Sequence, residues 1–192
     1  MKPRRLRVLV LPLAAIVIFA AVEYRLRQPV EPKPQTSASY GAPLEAPPPL
    51  EGTDSNNNYF RLDRYLGRQE VIVVFFDRAK GANGDPVLAE LKKQTQTLKS
   101  RGIFVVAVSS ALPQENRKAG FETPIPFVFV TDTGPDQIWK YHRPWGCLDE
   151  DAGTAIPTAF FIDRAGRTQM RDGKPVPITP KDVSARFAGA SE

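Results

Sequence analysis

The chain has 192 residues, which suits one ordinary domain with appendages. Its formal charge of +5 sits in the first 27 residues, where Lys2, Arg4, Arg5, Arg7, Arg25 and Arg27 face only Glu23; the other 165 carry 20 residues of each sign. A neutral body offers no basic surface for phosphates, so nucleic acid is not an expected partner, and the single cysteine, Cys147, excludes an internal disulfide or a two-thiol exchange within one chain.

Residues 1–27 read as a membrane anchor or a signal peptide. An arginine-rich start precedes fifteen uncharged, almost wholly apolar residues, Val8 to Val22. Fifteen helical residues span about 22 Å against a hydrocarbon core of about 30 Å, a gap that Leu6 and snorkelling Arg7 and Arg25 reduce. The stretch "IFAAVEYR" puts Phe19 where a cleavage site wants a small residue, which favours an uncleaved anchor. Either reading keeps the basic flank in the cytoplasm and exports the body, to a periplasmic or extracellular location, with the membrane as partner. Residues 28–57, with Pro29, Pro32, Pro34, Pro43 and the run Pro47-Pro48-Pro49, read as a proline-rich linker. Residues 58–192 are the expected domain.

Within that domain "VIVVFFD" (71–77) is a continuous β-branched and aromatic run, as a strand buried on both faces requires. The spacing of Val87, Leu88, Leu91 and Leu98 predicts a helix, with Asp85 as N-cap, Pro86 at its first position and Gly102 past its end. "IFVVAVSS" (103–110) predicts a second buried strand, "PQENRKAGF" a polar helix, and "PFVFVTD" (126–132) a third strand. "PDQIWKYH" predicts a short helix. "TAFFID" (158–163) is a fourth strand, which a tight turn joins to "RTQM" as an antiparallel hairpin, and "TPKDVSARFAG" closes as a helix capped by Thr179. Strands alternating with helices imply βαβ crossovers. The expected fold is therefore α/β, thioredoxin-like, three layers (α/β/α) around a mixed sheet.

The pieces "YFRLDRYLGRQEVIVVFF", "GIFVVAVSS", "PFVFVTD" and "GTAIPTAFFIDRAGR" occur in an order that resembles the redoxin branch of the thioredoxin-like superfamily. That branch includes the alkyl hydroperoxide reductase and thiol-specific antioxidant proteins; the chain is similar also to membrane-anchored thioredoxin-like proteins of cytochrome maturation. The resemblance implies thiol-dependent oxidoreductase or peroxidase chemistry. It puts Pro157 at the cis-proline position, with Ile156 and Thr158 at the same site edge, and makes Gly84, Asp85 and Pro86 the redox loop.

That loop departs from the family pattern. Peroxide-reducing relatives place Pro-x-x-x-Thr/Ser-x-x-Cys there, with the thiol ionised by a helix N-terminus and an arginine. Here Asp85 stands in the cysteine's place, Ala82 three positions earlier, and Pro157 where the arginine belongs. A carboxylate cannot cycle through sulfur's oxidation states, so Asp85 reads as a helix cap rather than a catalyst. Copper handling needs paired thiols and a histidine, whereas this chain has one of each, Cys147 and His142; neither metal nor cofactor is expected. Cys147 has two readings: a small, half-buried loop residue or a one-cysteine redox site. Asp149, Glu150 and Asp151 follow it and oppose its ionisation, while His142 and Arg143 offset them. Lone His142 reads as surface or helix-end packing. Two functions follow: a degenerate redoxin that binds a protein partner at the edge around 81–85, 145–147 and 156–157, or an active reductase using Cys147.

Overall fold

A computed structural model describes residues 42–122, 127–132 and 139–187. The anchor and the first half of the linker lie outside them; among the described residues no helix is long and apolar enough to cross a membrane. The domain begins earlier than residue 58. Strands β1 (Leu44–Glu45) and β2 (Glu51–Asp54) fall inside the stretch read as linker, and Leu50 is a core residue at 3% exposure. The prolines hold this segment extended, and its alternate apolar residue then finds a sheet to pack on.

The chain continues through β3 (Tyr59–Arg61) and a 3-10 turn, Leu62–Arg64, to β4 (Val71–Phe75). A loop leads into helix α1 (Pro86–Lys93), followed by α2 (Thr95–Arg101), β5 (Phe104–Ser109), α3 (Pro113–Glu122) and β6 (Phe127–Thr131). The single helix expected over this stretch breaks at Gln94. There the Thr95 hydroxyl donates to the Lys92 carbonyl at 2.7 Å and competes with the helical ladder. Gly102 ends α2 in the left-handed conformation (φ 63°), and Ile103 N–H closes back on Leu98 O at 2.9 Å. Next come β7 (Leu148–Asp149), β8 (Thr154–Ala155), β9 (Thr158–Ile162), β10 (Thr168–Arg171), β11 (Lys174–Pro175) and α4 (Pro180–Phe187). The cap of α4 forms as expected: Asp182 accepts from the Thr179 amide and hydroxyl at 2.7 and 2.8 Å.

Six strands form one sheet in the order β3-β2-β6-β5-β4-β9. β4–β5 and β5–β6 are parallel, while β9 is antiparallel to β4 and β2 is antiparallel to β6 and β3. The mixed thioredoxin-like sheet is thus present. The expected hairpin is only half formed. The turn closes with Asp163 N–H on Arg167 O at 2.8 Å, but β10 then pairs with β1 and β11 instead of β9.

All five residues of β4 are buried, and their alternation divides two cores. Ile72 and Val74 face one with Leu88, Leu91, Leu98, Val183 and Phe187, the apolar stripes of α1, α2 and α4. Val71, Val73 and Phe75 face the other with Leu50, Leu62, Tyr141, Trp145 and Cys147. Among the described residues no α-helix contributes to this second core, which is covered there by turns and strand connections. Residues 139–142, read as the end of a helix, are turns here, and 133–138 lie outside the described residues.

Candidate functional site: a loop edge without its thiol

The parallel strands β4, β5 and β6 end on one side of the sheet, and antiparallel β9 begins there. Phe75 at the end of β4 pairs with Thr158 at the start of β9. This register brings the loop 77–85, the start of α1 and the segment Ile156–Thr158 to one edge. One hydrogen bond extends the edge to Cys147, whose carbonyl accepts from Ile156 N–H at 2.8 Å, and the β7–β8 pairing of Leu148 with Ala155 adjoins it. The register thus puts the segments carrying Gly84, Asp85 and Pro86 and those carrying Ile156, Pro157 and Thr158 at one end of the sheet, while Cys147, joined to Ile156, lies in the core on the opposite face from α1.

The loop is fixed by its own chemistry. Asp77 Oδ1 accepts from Ala79 N–H at 2.9 Å, and Asp77 O accepts from Lys80 and Gly81 N–H at 3.2 and 3.0 Å. Gly81 takes φ 66°, where a side chain is disfavoured, before the 3-10 turn Ala82–Gly84. Arg78 crosses to Glu115 of α3 at 2.7 Å.

Asp85 enters α1 in an extended conformation, and its Oδ1 accepts from both Val87 and Leu88 N–H at 2.9 Å. The carboxylate is 5% exposed. Burial pushes its pKa up, and the Leu88 and Val87 amides and the Lys80 charge pull it back. The free amides and positive end of a helix stabilise an anion; here the anion is the protein's own carboxylate.

Pro157 corrects one expectation. There is no cis peptide bond among the described residues, so Ile156–Pro157 is trans. Pro157 is exposed and directly precedes β9, a place where a missing N–H removes no ladder bond. Thr158 donates its hydroxyl to Ile156 O at 2.8 Å.

Cys147 is not half-buried but fully so, in the second core beside Trp145 and Phe75. Burial pushes its thiol up to about 12, against a hydrogen bond from Thr158. The flanking acids and Arg143 emphasised by the sequence stand in solvent, where Arg143 pairs with Glu150 at 3.0 Å. The sulfur is packed as an apolar core atom, and its burial opposes ionisation. Trp145 is 1% exposed and Cys147 is buried, so of residues 145–147 only Gly146 is partly exposed. What the edge exposes is Leu112 (49%), Ile156 (44%), Pro86 and Pro157.

His142 is neither surface nor helix-end. It is fully buried, its ring edge-on to Phe75 and Trp139 at 4.8 Å each, and its Nδ1 lies 2.5 Å from Asp132 Oδ2. Asp132, at 2% exposure, follows β6 and accepts further hydrogen bonds from Tyr141 and His142 N–H at 3.0 Å each. The sequence reasoning passed over Asp132. The usable signal was a histidine amid Trp139, Tyr141 and Trp145, a setting too apolar for an exposed imidazole.

Fold and edge together define a redoxin-type thioredoxin-like domain whose loop carries no thiol. The chain belongs to the AhpC/TSA family, which it matches over residues 44–170. Among solved structures it is similar to peroxidoxin BcpB from Mycobacterium tuberculosis (16% identity, 79% of this chain and 96% of that one, TM-score 0.57). It is similar also to the bacterioferritin comigratory protein of Xanthomonas campestris (15%, 77% and 96%, TM-score 0.57). BsSco, a member of the Sco family of cytochrome c oxidase assembly proteins, shares the fold at 12% identity, over 80% of this chain and 97% of that one (TM-score 0.55). At these identities the structures bear on fold alone. No curated protein matches the chain.

Proposed function

We propose that this protein is a catalytically silent redoxin, exported and held at a membrane by residues 1–27, which serves as a binding module through its loop edge. One observation carries the reading. The helix-start amides that an ionised thiol would need are engaged by Asp85, and the chain's one sulfur is sealed in the core. Peroxide reduction begins with a thiolate attacking the peroxide oxygen, and a carboxylate cannot take up oxygen and be regenerated by a thiol. The partner surface is the apolar part of the edge, Leu112, Ile156, Pro157 and Pro86, around a loop kept in place by Asp77 and the Arg78–Glu115 pair. The tether rests on Val8–Val22 and its flanking arginines. Export would place the domain in the periplasm or outside the cell.

The test is turnover of hydrogen peroxide and of an organic hydroperoxide, with dithiothreitol as reductant, by wild type and Cys147→Ser. Equal rates, no faster than reductant alone, are expected. A wild-type rate that disappears in Cys147→Ser would establish instead a one-cysteine peroxidase acting through Cys147.

A further inference from the structure

The Asp132–His142 pair has no part in that reading, yet it binds together the segment that seals the thiol. Three N–H groups converge on the Asp132 carboxylate: the Tyr141 amide, the His142 amide and His142 Nδ1. The other backbone bonds of this stretch are mostly internal to it. Arg143 N–H meets Trp139 O at 3.3 Å, Trp145 meets Tyr141 O at 3.4 Å, Gly146 meets Arg143 O at 3.0 Å, and Cys147 meets His142 O at 2.8 Å. This group of turns is bonded largely to itself, and Asp132 is its one buried side-chain tie to the sheet; its other ties are the Ile156 N–H to Cys147 O bond at 2.8 Å and the exposed Lys140–Glu51 pair at 3.5 Å. Of its other outward side-chain bonds, Trp145 Nε1 to Pro49 O is long at 3.4 Å and Arg143 to Glu150, at 3.0 Å, is exposed.

The closed arrangement also carries two unrelieved costs. His142 Nε2 is fully buried without a hydrogen-bond partner, and Trp139, whose ring covers His142, adopts φ 69°, a region disfavoured for a bulky residue. Opening would give Nε2 to water and let Trp139 relax. Segments that store strain and unpaired polar groups are those that open below the global unfolding threshold.

We infer that residues 139–147 form a locally opening cover, held shut by Asp132, whose release uncovers Cys147 while the six-stranded sheet stays folded. The inference is independent of whether the domain turns over peroxide. It makes Cys147 a cryptic thiol: inert when covered and open to thiol-directed reagents only in the brief intervals of release.

The test is the rate at which Ellman's reagent, 5,5′-dithiobis(2-nitrobenzoate), labels the full chain as urea is raised below its unfolding transition. The expected rate rises with urea far less steeply than global unfolding does, because opening exposes the cover and the core face beneath it but not the rest of the domain. Asp132→Asn is expected to raise it about ten- to a hundredfold, since the hydrogen bonds that hold the cover are weakened, and to leave its urea slope unchanged. Labelling with the full urea slope of global unfolding, in both proteins, overturns the inference. Should Asp132→Asn not fold, hydrogen exchange of the wild type decides the matter. The amides of Tyr141, His142 and Cys147 are expected to exchange well ahead of those of Val73 and Val106; equal protection contradicts the cover.

Discussion

Asp85 Oδ1 lies 2.9 Å from the backbone nitrogens of both Val87 and Leu88. The carboxylate thereby fills the anion site of the α1 N-terminus. If Asp85 is a cap, Asp85→Ala should lower stability by about 1 kcal/mol, within a range of about 0.5–2. Asp85→Asn, whose side-chain oxygen still accepts, should retain most of it. Urea unfolding of the three proteins checks this, and an Ala variant as stable as wild type would remove the capping role.

The two helix-capping aspartates should respond to pH in opposite directions. Burial raises the pKa of Asp85, so its folded form holds the proton more tightly than its unfolded form. The proton-linked part of its contribution, which is separate from the cap hydrogen bonds, is fully present below the unfolded carboxylate range and is lost as pH rises through the raised folded value. Asp182 is lowered by the Thr179 amide and hydroxyl. Its contribution is present above the unfolded carboxylate range and is lost on acidification through the lowered value. Unfolding midpoints across the acid range should therefore fall less steeply with rising pH in Asp85→Asn than in wild type. In Asp182→Asn they should fall less on acidification.

A thiol introduced at the same helix start should be more reactive than the native one. In Asp85→Cys the sulfur stands at the α1 amides, which favour a thiolate, whereas Cys147 remains in the core. Brief alkylation with iodoacetamide at neutral pH, followed by peptide mapping, should mark residue 85 ahead of residue 147. Peroxide turnover should stay low even so, because Ala82 and Pro157 stand where the family resemblance expects a hydroxyl and an arginine.

Trp145 is the largest fully buried side chain of the second core, against Phe75 and Phe160 with ring centroids 5.5 and 5.2 Å away. Trp145→Ala should cost about 3–5 kcal/mol, the usual range for truncating a buried aromatic. A loss under about 1 kcal/mol, the scale of a surface substitution, would show that the turns bearing Trp145 are not integral to the core.

Much of this was legible from local pattern. The all-apolar run of β4 announced a strand buried on both faces, and Asp85-Pro86 before Val87, Leu88 and Leu91 announced a capped helix. What failed depended on partners distant in sequence. Leu50 looked like part of a linker because its neighbours are prolines, and only the sheet makes it core. Cys147 read as half-buried and His142 as surface or helix-end packing, yet the turn directs the neighbouring charges to solvent and folds the thiol and imidazole inward. β10 looked like the partner of β9, but β1, more than a hundred residues earlier in the chain, competes for its edge.

The most direct test of the central claim is the intact mass of the protein after a brief exposure to an equimolar organic hydroperoxide, with no other thiol present. An engaged helix start and a sealed thiol predict an unchanged mass and undiminished hydroperoxide. Rapid gain of oxygen at Cys147, matched by loss of hydroperoxide, would contradict the account.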